Sequence, residues 1–166
     1  MQQRDITYII QAHRDYPQKP SNAYRKWDGK TPYYIHPLWC AATLAAETTL
    51  DEKTREEGVQ ALLYHDLLED TTKLLPNWLS SRVKTIIEQM TFEQGSAQEM
   101  QEIWNKPDEI KLYKLYDKVS NLLDGNWMSP EKKKQYRAYT QRLCDEVEKI
   151  YGQLNITQLA KTMGVT

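Results

Sequence analysis

At 166 residues the chain has the length of one domain with a sizeable core, and 22 Lys and Arg stand against 23 Asp and Glu. Balanced charge argues against a general electrostatic grip on nucleic acid. No apolar run approaches the ~20 residues of a spanning helix, and the amino end, MQQRDITYII, has no signal-peptide pattern, so the expectation is a soluble, cytoplasmic protein without a membrane partner.

Residues 5–14 space Ile6, Ile9, Ile10 and His13 helically, and Pro17 and Pro20 end that helix. A polar loop follows over residues 15–32, with Lys19, Arg25, Lys26 and Lys30. Composition leaves two readings of it open, a solvated loop or a phosphate clamp. In PYYIHP, residues 32–37, proline is expected to keep His36 out of regular helix and to open a helix over residues 38–48. Asp51 or Thr54 caps the next helix, which is expected to run unbroken to about Glu69 before Thr71 and Thr72 end it. Pro76 is expected to open an amphipathic helix with Trp78, Leu79, Val83, Ile86, Ile87 and Met90 inward, broken by Gly95 and Ser96. Residues 97–104 read as a short helix, 109–123 as a strong one stopped by Gly125, 130–151 as a long charged one ended by Gly152, and 156–163 as the last. No stretch alternates like a strand. The pattern is all-α, about seven helices in a single domain.

Within ALLYHDLLEDT, residues 61–71, four ionisable side chains stand within six positions: His65, Asp66, Glu69 and Asp70. On a helix, residues three and four apart share a face, so these four would converge. Such a cluster is unfavourable unless a cation or a cleft relieves it. The bland alternative is a helix end with solvated acids. Asp117 and Asn121, also four apart, share a face of a later helix. His36, His65, Asp66 and Asp117 together would supply two nitrogen and two oxygen donors, a set suited to manganese, iron or zinc. Cys40 and Cys144 fit no metal or redox motif and read as buried reduced thiols, and His13 as a structural residue. Eleven Tyr and five Trp favour half-wet positions and ligand clefts.

The order IHP, then HDLLEDT, then KLYDKVSN resembles the HD-domain superfamily of metal phosphohydrolases. More narrowly it is similar to the hydrolase domain of RelA/SpoT proteins and their small stand-alone relatives, over a motif core of about residues 24–140 within a single domain of residues 1–166. The resemblance implies an all-α HD-domain helical bundle with one divalent metal, manganese first and iron or zinc compatible. It implies His36, His65, Asp66 and Asp117 as ligands and Glu69 and Asp70 as the catalytic pair. Arg25, Lys26 and Asn121 match the family's substrate-binding positions, and Lys118 and Tyr136 are added to them from the reading of the residues. Two positions depart from the pattern. Tyr116 stands where a small residue usually precedes the metal Asp, and Leu123 where an Arg often helps hold guanine. The expected substrate is a small-molecule nucleotide phosphorylated on its ribose. The leading reaction is removal of the 3′-pyrophosphate of ppGpp. The alternatives are an HD hydrolase of another phosphorylated nucleotide, such as NADPH at its 2′-phosphate or a nucleoside monophosphate, and a nucleotide-binding module without catalysis. The intact Glu69–Asp70 pair speaks against the last. Sequence leaves the oligomeric state open, a homodimer included.

Overall fold

A computed structural model describes residues 1–165. Its helices are α1 (Gln3–Asp15), α2 (Ile35–Ala45), α3 (Glu52–Tyr64), α4 (Leu67–Asp70), α5 (Ser81–Met90), α6 (Ser96–Glu102), α7 (Asp108–Leu123), α8 (Pro130–Tyr151) and α9 (Asn155–Ala160). Among the described residues no strand forms, and the extended pairings are the isolated bridges Pro17–Thr71 and Tyr24–Pro32. The all-α expectation is borne out.

The bundle is built around α7, which touches α2, α3, α5, α8 and α9. A helix surrounded on all sides must be apolar nearly all round, and Leu112, Tyr113, Leu115, Tyr116 and Val119 are all fully buried. Fully burying a side chain such as Leu or Val contributes about 1.5–3 kcal/mol. Lys114, Asp117, Lys118 and Ser120 are buried on the same helix, so its core position is compatible only with a polar pocket on one side. Tyr116 turns into the core, fully buried, which is how the chain accommodates a large residue before Asp117.

Local signals set several helix ends. The Asp51 carboxylate accepts the Thr54 N–H at 2.9 Å and starts α3. Ser129, followed by Pro130 at the first helical position, caps α8 through the Lys132 N–H at 3.2 Å. Gly152, at φ +74, closes α8 in a conformation that disfavours a side chain.

Three expectations need correction. His36 lies inside the first turn of α2, not outside it, because Pro37 occupies a position whose N–H has no helical partner and so does not break the turn. The helix from residue 52 does not run through to Glu69. It stops at Tyr64, the chain turns through His65 and Asp66, and α4 restarts at Leu67. On an unbroken helix adjacent side chains diverge by about 100°; the turn frees His65 and Asp66 from that spacing. Pro76 opens a turn rather than a helix, since α5 begins at Ser81 under a Ser80 cap. Trp78 is therefore partly exposed, its indole N–H donating to Asp5 at 2.9 Å.

Gly58 lets α3 pack closely on Leu44 of α2 and Tyr113 of α7. A β-carbon there would lie 2.6 Å from Leu44 Cδ2 and 2.7 Å from Tyr113 Cζ. Alanine is the better helix former by about 1 kcal/mol, but overpacking typically costs about 1–3 kcal/mol. Gly58→Ala should therefore lower stability in urea melts, and an unchanged or raised midpoint would refute this packing.

Candidate functional site

Two imidazoles meet beside α7, their ring centroids 5.1 Å apart. His36 comes from the first turn of α2 and His65 from the turn between α3 and α4. Each ring is anchored from behind through Nδ1. His36 Nδ1 lies 2.8 Å from Ser120 Oγ, and His65 Nδ1 lies 2.7 Å from the Leu62 carbonyl oxygen. A carbonyl only accepts, so His65 donates from Nδ1, and a neutral His65 carries its lone pair on Nε2. Both Nε2 atoms are buried without a hydrogen-bond partner.

Carboxylates face those nitrogens. His36 Nε2 is 3.4 Å from Asp66 and 3.3 Å from Asp117. His65 Nε2 is 3.2 Å from Asp66 and 3.8 Å from Asp117. Lone pairs opposite carboxylates repel unless positive charge lies between them. His65 shows this demand: burial lowers its pKa, but Asp66 and Asp117 reverse the effect and raise it to about 9. For His36 burial wins and the pKa is lowered. A divalent ion would meet the same demand as a proton. His36, His65 and Asp66 each offer a ligand atom, all within 4.8 Å of one another. Two buried nitrogens held by outer hydrogen bonds, with carboxylate oxygen beside them, are a donor set that fits a borderline or hard divalent metal.

The carboxylates are themselves oriented. The Tyr33 hydroxyl donates to Asp66 at 2.9 Å, and the Asn121 amide donates to Asp117 at 2.6 Å. Lys118 and Lys114 approach the other Asp117 oxygen at 3.0 and 3.3 Å. Burial pushes the Asp117 carboxyl up, but Lys118 and Lys114 overcome it and hold it well below the usual range. Both ammoniums also meet Glu99, at 2.8 and 3.2 Å, and Glu99 accepts the Tyr139 hydroxyl at 2.8 Å.

Glu69 and Asp70, on the short α4, face the cavity half-buried. Glu69 accepts the Phe92 backbone N–H at 2.9 Å, and Asp70 accepts the Asn22 amide at 2.9 Å. Burial, then the neighbouring Asp66 charge, raises Asp70 to about 7; burial also raises Glu69. A carboxyl that titrates near neutrality suits proton transfer.

The fold brings most of the sequence candidates to one cavity. Arg25, Lys26, Asp66, Glu69, Asp70, Asp117, Lys118, Asn121 and Tyr136 all line it, with His36 and His65 buried behind Asp66 and Asp117. The polar loop is thus no simple solvated loop at its centre: Arg25 is buried, bound to Asp124 at 2.7 and 2.9 Å and to Asn121 at 2.9 Å. Lys30 and Leu123 do not line the cavity, and Leu123 is 49% exposed. His13 is buried and stacks on Tyr33, with neither ring nitrogen hydrogen-bonded. Cys40 and Cys144 are free, buried thiols. Sequence reasoning missed Asn22, Phe92, Glu99, Lys114, Trp127 and Lys132. Lys114 was findable, four residues before Lys118 on the same helix face. The others stand in no motif.

No protein-family model matches the chain. It is 33% identical over 123 residues to the zebrafish (Danio rerio) guanosine-3′,5′-bis(diphosphate) 3′-pyrophosphohydrolase MESH1, covering 69% of this chain and 67% of that one. It is 30% identical over 143 residues to the Homo sapiens protein of the same name, covering 80% and 78%. The Xenopus tropicalis protein is 28% identical over 165 residues, covering 93% and 90%. Among solved structures, a metazoan ortholog of SpoT, described as hydrolysing ppGpp and acting in starvation responses, superposes with a TM-score of 0.74 over 98% of this chain and 95% of that one. Its 19% sequence identity speaks for the fold alone. With a third of the aligned residues identical across two thirds of both chains, the chain belongs to the MESH1 family of small SpoT-like HD-domain proteins.

Proposed function

We propose that this chain is a metal-dependent phosphohydrolase that removes the 3′-pyrophosphate of ppGpp, giving GDP and pyrophosphate. One observation carries the reading. Two anchored imidazoles present partnerless Nε2 atoms to Asp66 and Asp117, and the Glu69–Asp70 pair opens on the same cavity. The names of the family's members supply the substrate.

His36, His65, Asp66 and Asp117 would hold one divalent ion, manganese first, which would supply Lewis acidity towards water and a phosphoryl oxygen. The chain's own groups do the rest. Asp70, steadied by Asn22, takes a proton from the attacking water at its carboxylate oxygen. Glu69, fixed by the Phe92 N–H, orients that water. The bond between phosphorus and the ribose 3′ oxygen breaks. The water oxygen stays on the pyrophosphate, and the 3′ oxygen leaves with a proton as the hydroxyl of GDP. Lys26 neutralises phosphate charge, Arg25, held by Asp124, and Lys118, beneath Asp117, add fixed positive field, and Asn121 and Tyr136 contact the sugar and base. The base sits without an arginine at position 123, held by stacking and apolar contact, so an adenine counterpart of ppGpp should be hydrolysed nearly as well.

Three outcomes test this. His65→Ala should lose the stoichiometric ion in metal analysis; full retention would remove the ligand assignment. Glu69→Gln and Asp70→Asn should retain the ion and lose about 10²–10⁴-fold in kcat. Parent rates in both would show that these acids are not catalytic. Product chromatography with manganese should show pyrophosphate released from ppGpp. Rapid cleavage of a nucleoside monophosphate, with no pyrophosphate from ppGpp, would move the chain to a different nucleotide substrate.

A further inference from the structure

Five cationic side chains line the cavity: Arg25, Lys26, Lys114, Lys118 and Lys132. Three are already matched by carboxylates. Arg25 holds Asp124, and Lys114 and Lys118 share Glu99 and Asp117. Lys26 and Lys132 differ. Among the described residues neither ammonium has a carboxylate within salt-bridge distance. What both face is one indole: each Nζ lies 4.8 Å from the centroid of the Trp127 ring. They arrive from distant parts of the chain, Lys26 from the loop before α2 and Lys132 from the first turn of α8.

Trp127 is well placed to hold them. It ends the short 3-10 turn Gly125–Trp127 that follows α7, and it packs on Leu122, Met128 and Tyr136. The indole is thereby tied to the helix that carries Asp117. A cation over an aromatic ring that water still reaches is held only weakly. Two ammoniums sharing one ring also repel each other. A phosphate between them would remove that repulsion and offer both a stronger, charge-assisted hydrogen bond.

We propose that Lys26 and Lys132, gathered on Trp127, form a phosphate cradle at the cavity rim, separate from the His–Asp cluster. It takes the 5′-diphosphate of a nucleotide whose 3′-phosphates lie at the buried end. Naming the 5′-diphosphate rests on the ppGpp reading; the cradle itself rests on the pairing pattern. The deep cations are committed to carboxylates, so the phosphates remote from the scissile bond meet their charge here. Trp127 and Lys132 are thus specificity-determining residues, selecting nucleotides phosphorylated at both ends of the ribose.

The test compares binding of GDP and guanosine to the intact, manganese-loaded chain by titration calorimetry. Parent protein should prefer GDP by about tenfold or more, and Lys132→Gln should erase most of that preference. Lys134→Gln, an exposed lysine on the same helix that does not line the cavity, should leave it unchanged. With ppGpp as substrate, Lys132→Gln should raise KM about tenfold and spare kcat. With guanosine 3′-diphosphate, which lacks 5′-phosphates, it should change neither. No GDP preference in the parent, an undiminished preference in Lys132→Gln, or an equal loss in Lys134→Gln overturns the cradle and leaves ppGpp hydrolysis standing. Absence of ppGpp hydrolysis, with the GDP preference still dependent on Lys132, overturns the substrate reading and supports the cradle as a nucleoside 5′-diphosphate site.

Discussion

A carboxylate buried in the middle of a helical bundle is the constraint on which the site depends. Asp117 is 3% exposed on α7, the helix against which α2, α3, α5, α8 and α9 pack. An isolated charge there would be untenable. It is tolerated because each oxygen has partners. The Asn121 amide donates to one, and the Lys114 and Lys118 ammoniums approach the other. The lysines in turn require Glu99, which brings α6 down onto α7, and Glu99 requires Tyr139 from α8. One buried charge thus fixes the relation of three helices.

This network divides the cavity's charges by depth. Cations near α7 are consumed in holding carboxylates, and those at the rim are not. Hydrolysis of a phosphate ester is favoured by preorganised positive charge near the reacting phosphorus. Deep lysines locked to Glu99 and Asp117 cannot move far without leaving a buried charge unpaired. Exposed Lys26 and Lys132 can. The short α4 serves the same division. Restarting the helix after Asp66 turns Glu69 and Asp70 into the cavity, where Phe92 and Asn22 reach across from other segments to hold them.

Much of this was legible in the chain. The all-α fold followed from helical spacing and from the Asp51, Ser129 and Gly152 end signals, which act within a few residues and need no tertiary partner. The residues that meet at the cavity were equally readable, because IHP, HDLLEDT and KLYDKVSN set chemically unusual side chains on apolar helices. The breaks inside those elements were not. A pre-proline restriction suggested His36 outside a helix, yet the first turn tolerates proline. An apolar run suggested one helix through His65 and Asp66, yet the chain turns there.

The sequence by itself determined which side chains are available for chemistry and which helices carry them, since both depend on local periodicity and spacing. Only the tertiary structure decided which of those charges are already spent. Arg25 and Lys26 are adjacent in sequence and alike in charge, but one is buried against Asp124 and the other lies exposed on Trp127. Nothing in the neighbouring residues separates them. Their partners come from the far end of α7 and the turn beyond it, about a hundred residues away, and Coulombic pairing depends on distance in space, which local sequence does not encode.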